Sequence, residues 1–449
     1  MSGTKRTSAE DRVEHQARNR TRDWAKGAAA AVSFLAFSSG MALAKTTVTF
    51  FYPIQVGGPL TQVIDGYVSK FEADNPDIDV QPVYSGNYID TTTKALTAAK
   101  SGAPPTVAVL LATDIYTLID EDVVEPLDGF IKTDADKAWV GGFMPAYLKS
   151  AQVEGKLWSA PFQRSTAVLY WNKKAFAEAG LDPEKYPTTW DEMVRTGEAV
   201  TKKDASGQAS RWGVGIPGNV GSSQWLFGAL AAQNGAKLFN DNGTETYLTD
   251  PKVVEALQFW VDLGKKYAIH PPGILEWGTT PSDFLEGRIA MIWTTTGNLS
   301  NIRKNAKFDF GVAPYPGKVA PASVLGGGNL YLFAKASQAE KDAAFKFIKY
   351  LTSDELQADW AIQTGYVAPR DGAWATPALK AYVAEVPAAD VARRQIAVSV
   401  PEFSTYENAR TTKVLNDAIA AALTGAKTSE KALADAQGDI DRILRPYRK

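Results

Sequence analysis

The sequence predicts an α/β fold of two lobes that face one another across a cleft. Three observations point to it. Residues 46–111 alternate β-rich runs with helical stripes, and a second series of strands and helices starts past Gly155. Composition is ordinary for a globular protein, with 45% hydrophobic and 22% charged residues. At 449 residues the chain is long enough to build its cores without metal or disulfide staples.

The first series opens with Thr46–Tyr52, a β-branched and aromatic run that reads as a strand. Gly57, Gly58 and Pro59 form the next loop, and Val63, Ile64, Tyr67, Val68 and Phe71 then recur at helical spacing. That helix ends at Asn75-Pro76-Asp77, because the residue before a proline avoids the helical region. Ile78–Tyr84 is a second strand, and Tyr88–Lys100 a second helix closed by Gly102. Thr106–Leu111 is apolar without alternation, as a strand buried on both faces should be. Strand and helix in strict alternation begin a parallel α/β lobe.

In the second series Leu157–Leu169 is extended and runs into Tyr170-Trp171-Asn172. Thr189 and Glu192 form a capping box at a helix start, and Asp250-Pro251 opens a helix with the stripe Val253, Leu257, Trp260, Val261 and Gly264. A short helix closes at Gly287, and Arg288–Trp293, Phe308–Val312 and Leu330–Phe333 read as strands. Ser337 and Glu340 cap another helix, and the remainder is mostly helical. Open α/β sheets bind ligands in crevices beyond the carboxyl ends of their strands, so two such lobes define a hinged cleft between them.

Composition excludes several chemistries. With no cysteine, thiol catalysis, disulfides and thiolate metal sites are ruled out. Only His15 and His270 could serve as imidazole bases. His270, before Pro271-Pro272, is expected to be a solvated loop residue. A net charge of −2 gives no basic field for nucleic acid. A secreted hydrolase working with two carboxylates is compatible with the 50 acidic residues, but no pair stands out by motif. The 12 Trp and 17 Tyr suit ligands on which a ring stacks while a polar tip bonds.

Residues 1–44 read as an export signal. Arg18, Arg20, Arg22 and Lys26 form a positive n-region, and an apolar run follows from Gly27 to Leu43. The segment ends in Ala42-Leu43-Ala44, an A-x-A cleavage site, so the mature chain is expected to begin near Lys45. The expected location is the periplasm.

Several segments together resemble one family. They are Tyr84-Ser85-Gly86-Asn87-Tyr88, then Pro161-Phe162-Gln163-Arg164-Ser165-Thr166 running into Val168–Phe176, then Ala179–Pro183 with Thr189-Trp190. Gly287–Met291, Asn301-Ile302-Arg303, Gly326-Gly327 and Thr364-Gly365-Tyr366 follow in the same order. The ordered set resembles the periplasmic solute-binding proteins of ABC importers (extracellular solute-binding family 1), within them the sn-glycerol-3-phosphate-binding branch. The resemblance covers nearly the whole mature chain.

It implies the two-lobed periplasmic-binding-protein fold with a hinge. Expected lobe boundaries are 45–162 with 297–330, and 163–296 with 331–449. It implies a non-enzymatic receptor that closes on a small polar solute and docks on ABC permease transmembrane subunits, as a monomer without cofactor or metal. Glycerol-3-phosphate or a glycerophosphodiester is the implied solute, with a mono- or oligosaccharide, neutral or acidic, as the alternative.

By the same resemblance Tyr88, Ser165, Thr295, Gly327 and Tyr366 fall on ligand-contacting positions, and Trp225 lies in the branch's tryptophan region. Trp277 and Trp293 are further stacking candidates. Where the branch carries an acidic residue this chain reads Leu111-Ala112-Thr113-Asp114, so the acid is either missing or displaced to Asp114. Arg410 or Lys413 is a candidate for the branch's phosphate-serving cation. Arg164 and Arg370 are further cations that could face the cleft, although a solvated surface position is the default expectation for each.

Overall fold

The computed structural model describes residues 44–448. The export-signal reading falls almost wholly on residues outside that range. The first lobe contains β1 (Thr46–Tyr52), α1 (Leu60–Asp74), β2 (Ile78–Tyr84), α2 (Tyr88–Lys100) and β3 (Val107–Leu111). β4 (Ala160–Asn172) leads into the second lobe, with α3 (Trp190–Val200), β5 (Ala209–Gly215), α4 (Ser223–Gln233), α5 (Pro251–Lys265), α6 (Thr280–Leu285), β6 (Ile289–Thr295) and β7 (Phe310–Ala313). β8 (Ser323–Leu332) returns to the first lobe. It is followed by α7 (Gln338–Leu351), α8 (Asp354–Thr364), α9 (Asn408–Thr424) and α10 (Ser429–Leu444).

One curled sheet threads both lobes in the order β2-β1-β3-β8-β4-β6-β5, with β7 also on β4. β1 is parallel to β2 and β3, as successive βαβ units require. β4 and β8 are antiparallel and serve both lobes in turn. β8 pairs with β3 through Gly328–Leu332 and with β4 through Leu325–Leu330, with a register break between Gly328 and Asn329. β4 then hands over from β8 to β6 and β7 at Ala167–Asn172. Every residue of β4 is buried, which is why that run shows no alternation.

Each lobe has its own core. The first gathers Val48, Phe50, Ile64, Phe71, Val107 and Val109 with Phe347, Ile348 and Trp360 from α7 and α8. The second gathers Leu169, Trp171, Val214, Leu226, Leu257, Trp260, Met291 and Trp293 with Leu415, Ile419, Leu433 and Ile440 from α9 and α10.

These clusters shift the expected lobe boundaries. β7, assigned from sequence to the first lobe, pairs with Leu169–Asn172 of β4. α7, assigned to the second, packs on the β1 side, where Phe347 meets Phe50 edge-on at 5.3 Å. The chain changes lobe inside strands, where no composition shift marks the crossing.

Two local expectations also change. Thr189 caps α3 through the Glu192 amide, but the Glu192 carboxylate reaches the Thr188 amide and hydroxyl rather than closing a box. His270 is buried, not solvated. Its Nδ1 lies 2.7 Å from the Pro271 carbonyl, and its Nε2 accepts from the Ile216 amide at 3.1 Å, an arrangement that suits the neutral ring. Burial holds its pKa below the usual 6.5. The unfolded chain therefore takes up a proton first as pH falls below about 6.5, and stability declines there by up to about 1.4 kcal/mol per pH unit. Raised carboxyls at Asp114 and Glu402 act in the opposite sense over this range, so the His270 contribution is read as a difference: the urea midpoint of His270→Gln should gain on that of the wild type as pH falls from about 7 to about 5.

Candidate ligand-binding cleft

A cavity of about 660 Å³ lies between the lobes. Pockets of about 300–1,000 Å³ are the usual size for small-molecule ligands. The first lobe contributes Gln55, Val56 and Gly57 after β1, Asn87, Tyr88 and Ile89 at the head of α2, and Leu111 at the end of β3. These are carboxyl ends of parallel strands and the helix starts that follow them. The second lobe contributes Asn219, Val220, Gly221 and Trp225 around the start of α4, Trp277, Gly278, Pro281 and Ser282 around α6, and Thr295, Asn298 and Asn301 beyond β6. Ser165 and Gly327 come from the two crossing strands, Tyr366 from the turn after α8, and Glu402 from the segment before α9.

Six residues chosen from the sequence thus meet in one cavity: Tyr88, Ser165, Trp225, Thr295, Gly327 and Tyr366. Trp277 joins them. The Tyr88 hydroxyl is buried against that of Tyr366 without a well-formed hydrogen bond among the described residues, and burial pushes its pKa up. A buried hydroxyl left unpaired at a cavity wall is a ready donor for a ligand oxygen. Tyr366 stacks on Trp360 (5.8 Å, 12°) and accepts from Gln163 Nε2 at 3.0 Å; its pKa is pushed up to about 12 by burial. Thr295 accepts from the Gly297 amide at 3.1 Å, fixing the turn out of β6. Trp225 donates to the Leu325 carbonyl at 3.2 Å and meets Trp277 edge-on at 5.7 Å. Trp277 donates to the Gln55 carbonyl at 3.1 Å, a contact that ties the lobes together at the cavity.

Gly327 has φ +99°, and a Cβ there would stand 2.0 Å from the Gln163 carbonyl oxygen. No side chain fits this approach. Gly327→Ala should lower stability by about 1–3 kcal/mol in urea unfolding and weaken solute binding in the same preparation.

The cation candidates lie elsewhere. Arg410 is exposed on α9, paired with Glu407 at 3.3 Å, and Lys413 pairs with Asp417 at 2.7 Å; both border a separate groove beside Tyr447. The outward face of α9 carries them, and neither is part of the cavity lining. Arg370 is buried and structural, bonded to Asp354 at 2.6 Å and the Trp139 carbonyl at 2.7 Å. Arg164 is buried rather than solvated and lies behind the cleft wall. Its Nη1 donates to the Gly327 carbonyl and to Asn329 Oδ1, both at 3.0 Å. Both arginines find partners distant in sequence, which no local pattern reveals.

Trp293 is sealed in the second core against Tyr315 (3.8 Å, 19°) and does not reach the cavity. Asp114 accepts from Thr92 at 2.8 Å, is pushed up to about 6 by burial, and is not part of the lining. Among the described residues the one carboxylic acid in the lining is Glu402, which the sequence did not single out. Burial raises its carboxyl to about 8, against the opposing pull of Arg164.

Two lobes joined by crossing strands, with a polar and aromatic cavity between them, define a ligand-binding receptor. The family model for bacterial extracellular solute-binding proteins matches residues 66–388, and this chain belongs to that family. Among curated relatives, the sn-glycerol-3-phosphate-binding periplasmic protein UgpB of Salmonella typhimurium is 29% identical, over 92% of this chain and 96% of its own. Two solved structures share the fold. UgpB of Mycobacterium tuberculosis in complex with glycerophosphocholine has TM-score 0.78 and 24% identity, covering 88% of this chain and 98% of its own. An ABC substrate-binding protein of Listeria monocytogenes in complex with cycloalternan has TM-score 0.78 and 24% identity, covering 89% and 99%. The protein is accordingly a solute-binding receptor of an ABC importer and not an enzyme. No helix among the described residues is long and apolar enough to cross a membrane.

Proposed function

We propose that the solute is a carbohydrate, captured in the periplasm and handed to the permease of an ABC importer. The observation that carries this reading is the charge of the cleft. Among the described residues its lining holds no Lys, Arg or His. It offers instead two tryptophans, five side-chain amides (Gln55, Asn87, Asn219, Asn298 and Asn301) and the hydroxyls of Tyr88, Ser165, Ser282, Thr295 and Tyr366. Amides and hydroxyls supply paired donors and acceptors for sugar hydroxyls, and indole faces suit a pyranose ring. A phosphate monoester in the same place would lack a cation, where such groups need charge-assisted partners.

Closure of the lobes is favoured by the solute only insofar as it binds the closed form better. Here the lining is shared between lobes, so the full set of contacts exists only when they meet. The export signal at residues 1–44 supplies the route to the periplasm, and the receptor acts as a monomer.

A second reading is a zwitterionic glycerophosphodiester. The names of the relatives favour it, and the indole faces of Trp225 and Trp277 in the lining could receive a cationic head group.

Melting midpoints of the purified protein with neutral mono- and oligosaccharides, glycerol-3-phosphate and glycerophosphocholine discriminate the readings. A true solute at 100 times its dissociation constant adds about 2.7 kcal/mol. Stabilisation by a saccharide and none by glycerol-3-phosphate is expected. Stabilisation by the phosphate esters alone would overturn the carbohydrate reading. Trp277→Ala should weaken saccharide binding by about tenfold or more, a loss of roughly 1.4 kcal/mol.

A further inference from the structure

Behind the cleft lies a second, smaller chamber of about 110 Å³. It takes roughly the volume of three or four waters at about 30 Å³ each, room enough for a carboxylate or a tetrahedral oxyanion. Glu402 lines both spaces, so it stands in the wall between them. Arg164 lines the chamber, next in sequence to Ser165 of the cleft and bonded to the carbonyl of Gly327, another cleft residue.

The state of Arg164 is unusual. Its side chain is 1% exposed, yet it forms no ion pair among the described residues. Nη1 is satisfied by two neutral oxygens, the guanidinium lies 5.0 Å from the Tyr147 ring centre, and Nε has no partner among the described residues. A buried cation without a counter-charge is costly, and a buried unpaired N–H adds to that cost.

The groups facing it are Tyr147, Glu402, Tyr88 and Tyr331, with Asp114 acting on both Glu402 and Tyr331 from the β3 side. At the outer end of the chamber Lys149 and Asp241 approach to 3.9 Å and offset one another. Glu402 is the carboxylic acid in charge interaction with Arg164, and burial raises its pKa to about 8. A protonated carboxyl is a donor, so it can join Arg164 in holding an oxyanion.

We propose that this rear chamber is an anion subsite in which Arg164 receives an oxyanion: a carboxylate or tetrahedral anion bound free in the chamber, or a carboxylate carried by the solute in the cleft. The free-anion case stands independently of the carbohydrate reading; the substituent case rests on it and narrows the solute class to acidic sugars. Anion affinity falls as pH rises through the ionisation of Glu402, because a second negative charge then faces the ligand.

Calorimetric titration of the purified protein with inorganic sulfate, whose charge is constant over the range, tests the subsite. A glucuronate-bearing disaccharide and its neutral counterpart separate the two sources. Saturable sulfate binding at about pH 6.5 is expected, weakening about tenfold by about pH 9 and lost in Arg164→Gln. Glu402→Gln should keep sulfate affinity level across that range, which decides the matter if Arg164→Gln fails to fold. Tighter binding of the glucuronate disaccharide than of its neutral counterpart, through Arg164, assigns the anion to the solute. Sulfate bound alongside the neutral sugar assigns it as free.

Absence of saturable binding of both anions to wild type and Glu402→Gln would overturn the subsite, as would anion affinity unchanged in folded Arg164→Gln. Sulfate binding with no saccharide binding would sink the carbohydrate reading and leave the subsite standing.

Discussion

The antiparallel pairing of β4 with β8 is the constraint on which the architecture and the site both depend. Each strand spends one half in the first lobe and the other in the second. The cores can therefore pack separately while their relative position is set by a short shared ladder. Gly326, Gly327 and Gly328 sit in β8 where the strand changes partners, and each removes a collision. A Cβ on Gly326 would strike the Trp225 indole, one on Gly327 the Gln163 carbonyl, and one on Gly328 the Tyr88 ring. The glycine run lets aromatic residues from opposite lobes approach the same stretch of backbone. Such a run lowers β propensity, and the loss is offset by burial of both neighbouring strands.

The same crossing organises the polarity of the cleft. Parallel strands of the first lobe end at it, so the turns there bring the polar groups of Gln55, Asn87 and Tyr88 beside the apolar Val56, Ile89 and Leu111. The second lobe answers with the starts of α4 and α6 and the turn beyond β6. Charge is kept behind this surface: Arg164 under Gly327, and Asp114 against Thr92. The solute meets mainly neutral, directional groups, and the buried charges act on it through the wall. Glu402 is the exception that reaches both sides, and its elevated pKa means that the wall is largely uncharged near neutral pH.

Much of this was legible in the sequence where the signal is local. β1, α1, β2, α2 and β3 are each bounded by turn residues and differ in period, so their order could be read directly. α4 could not: Trp225 to Ala231 are buried all round the helix, which erases the amphipathic stripe. β5, with Gly213 and Gly215 admitting Gly197 and Ile289, carries too little β-branched character to announce a strand. The first half of β8 was hidden by its glycines. Tyr88, Ser165, Gly327 and Tyr366 stand inside the ordered motifs and border the cavity, whereas Trp225 and Thr295 border it from outside them. Glu402 lies between recognisable elements in Pro401-Glu402-Phe403, with no pattern around it. The burial of Arg164, Arg370 and His270 depends on contacts made by tertiary packing, and charge or a following proline suggested the opposite.

Because the cavity wall is divided between lobes, the structure of the site is also its switch. Trp277 reaches from the α6 side to the Gln55 carbonyl, Ser404 from the α9 side to the Thr113 carbonyl, and Trp225 to the crossing strand itself. Each is one neutral hydrogen bond, worth about 0.5–1.5 kcal/mol net. A few such bonds bias the lobes toward one another without locking them. A solute that bridges Tyr88 on one side and Thr295 or Asn298 on the other contributes affinity in the closed form that an open one cannot supply. That differential is what a receptor must present to its permease.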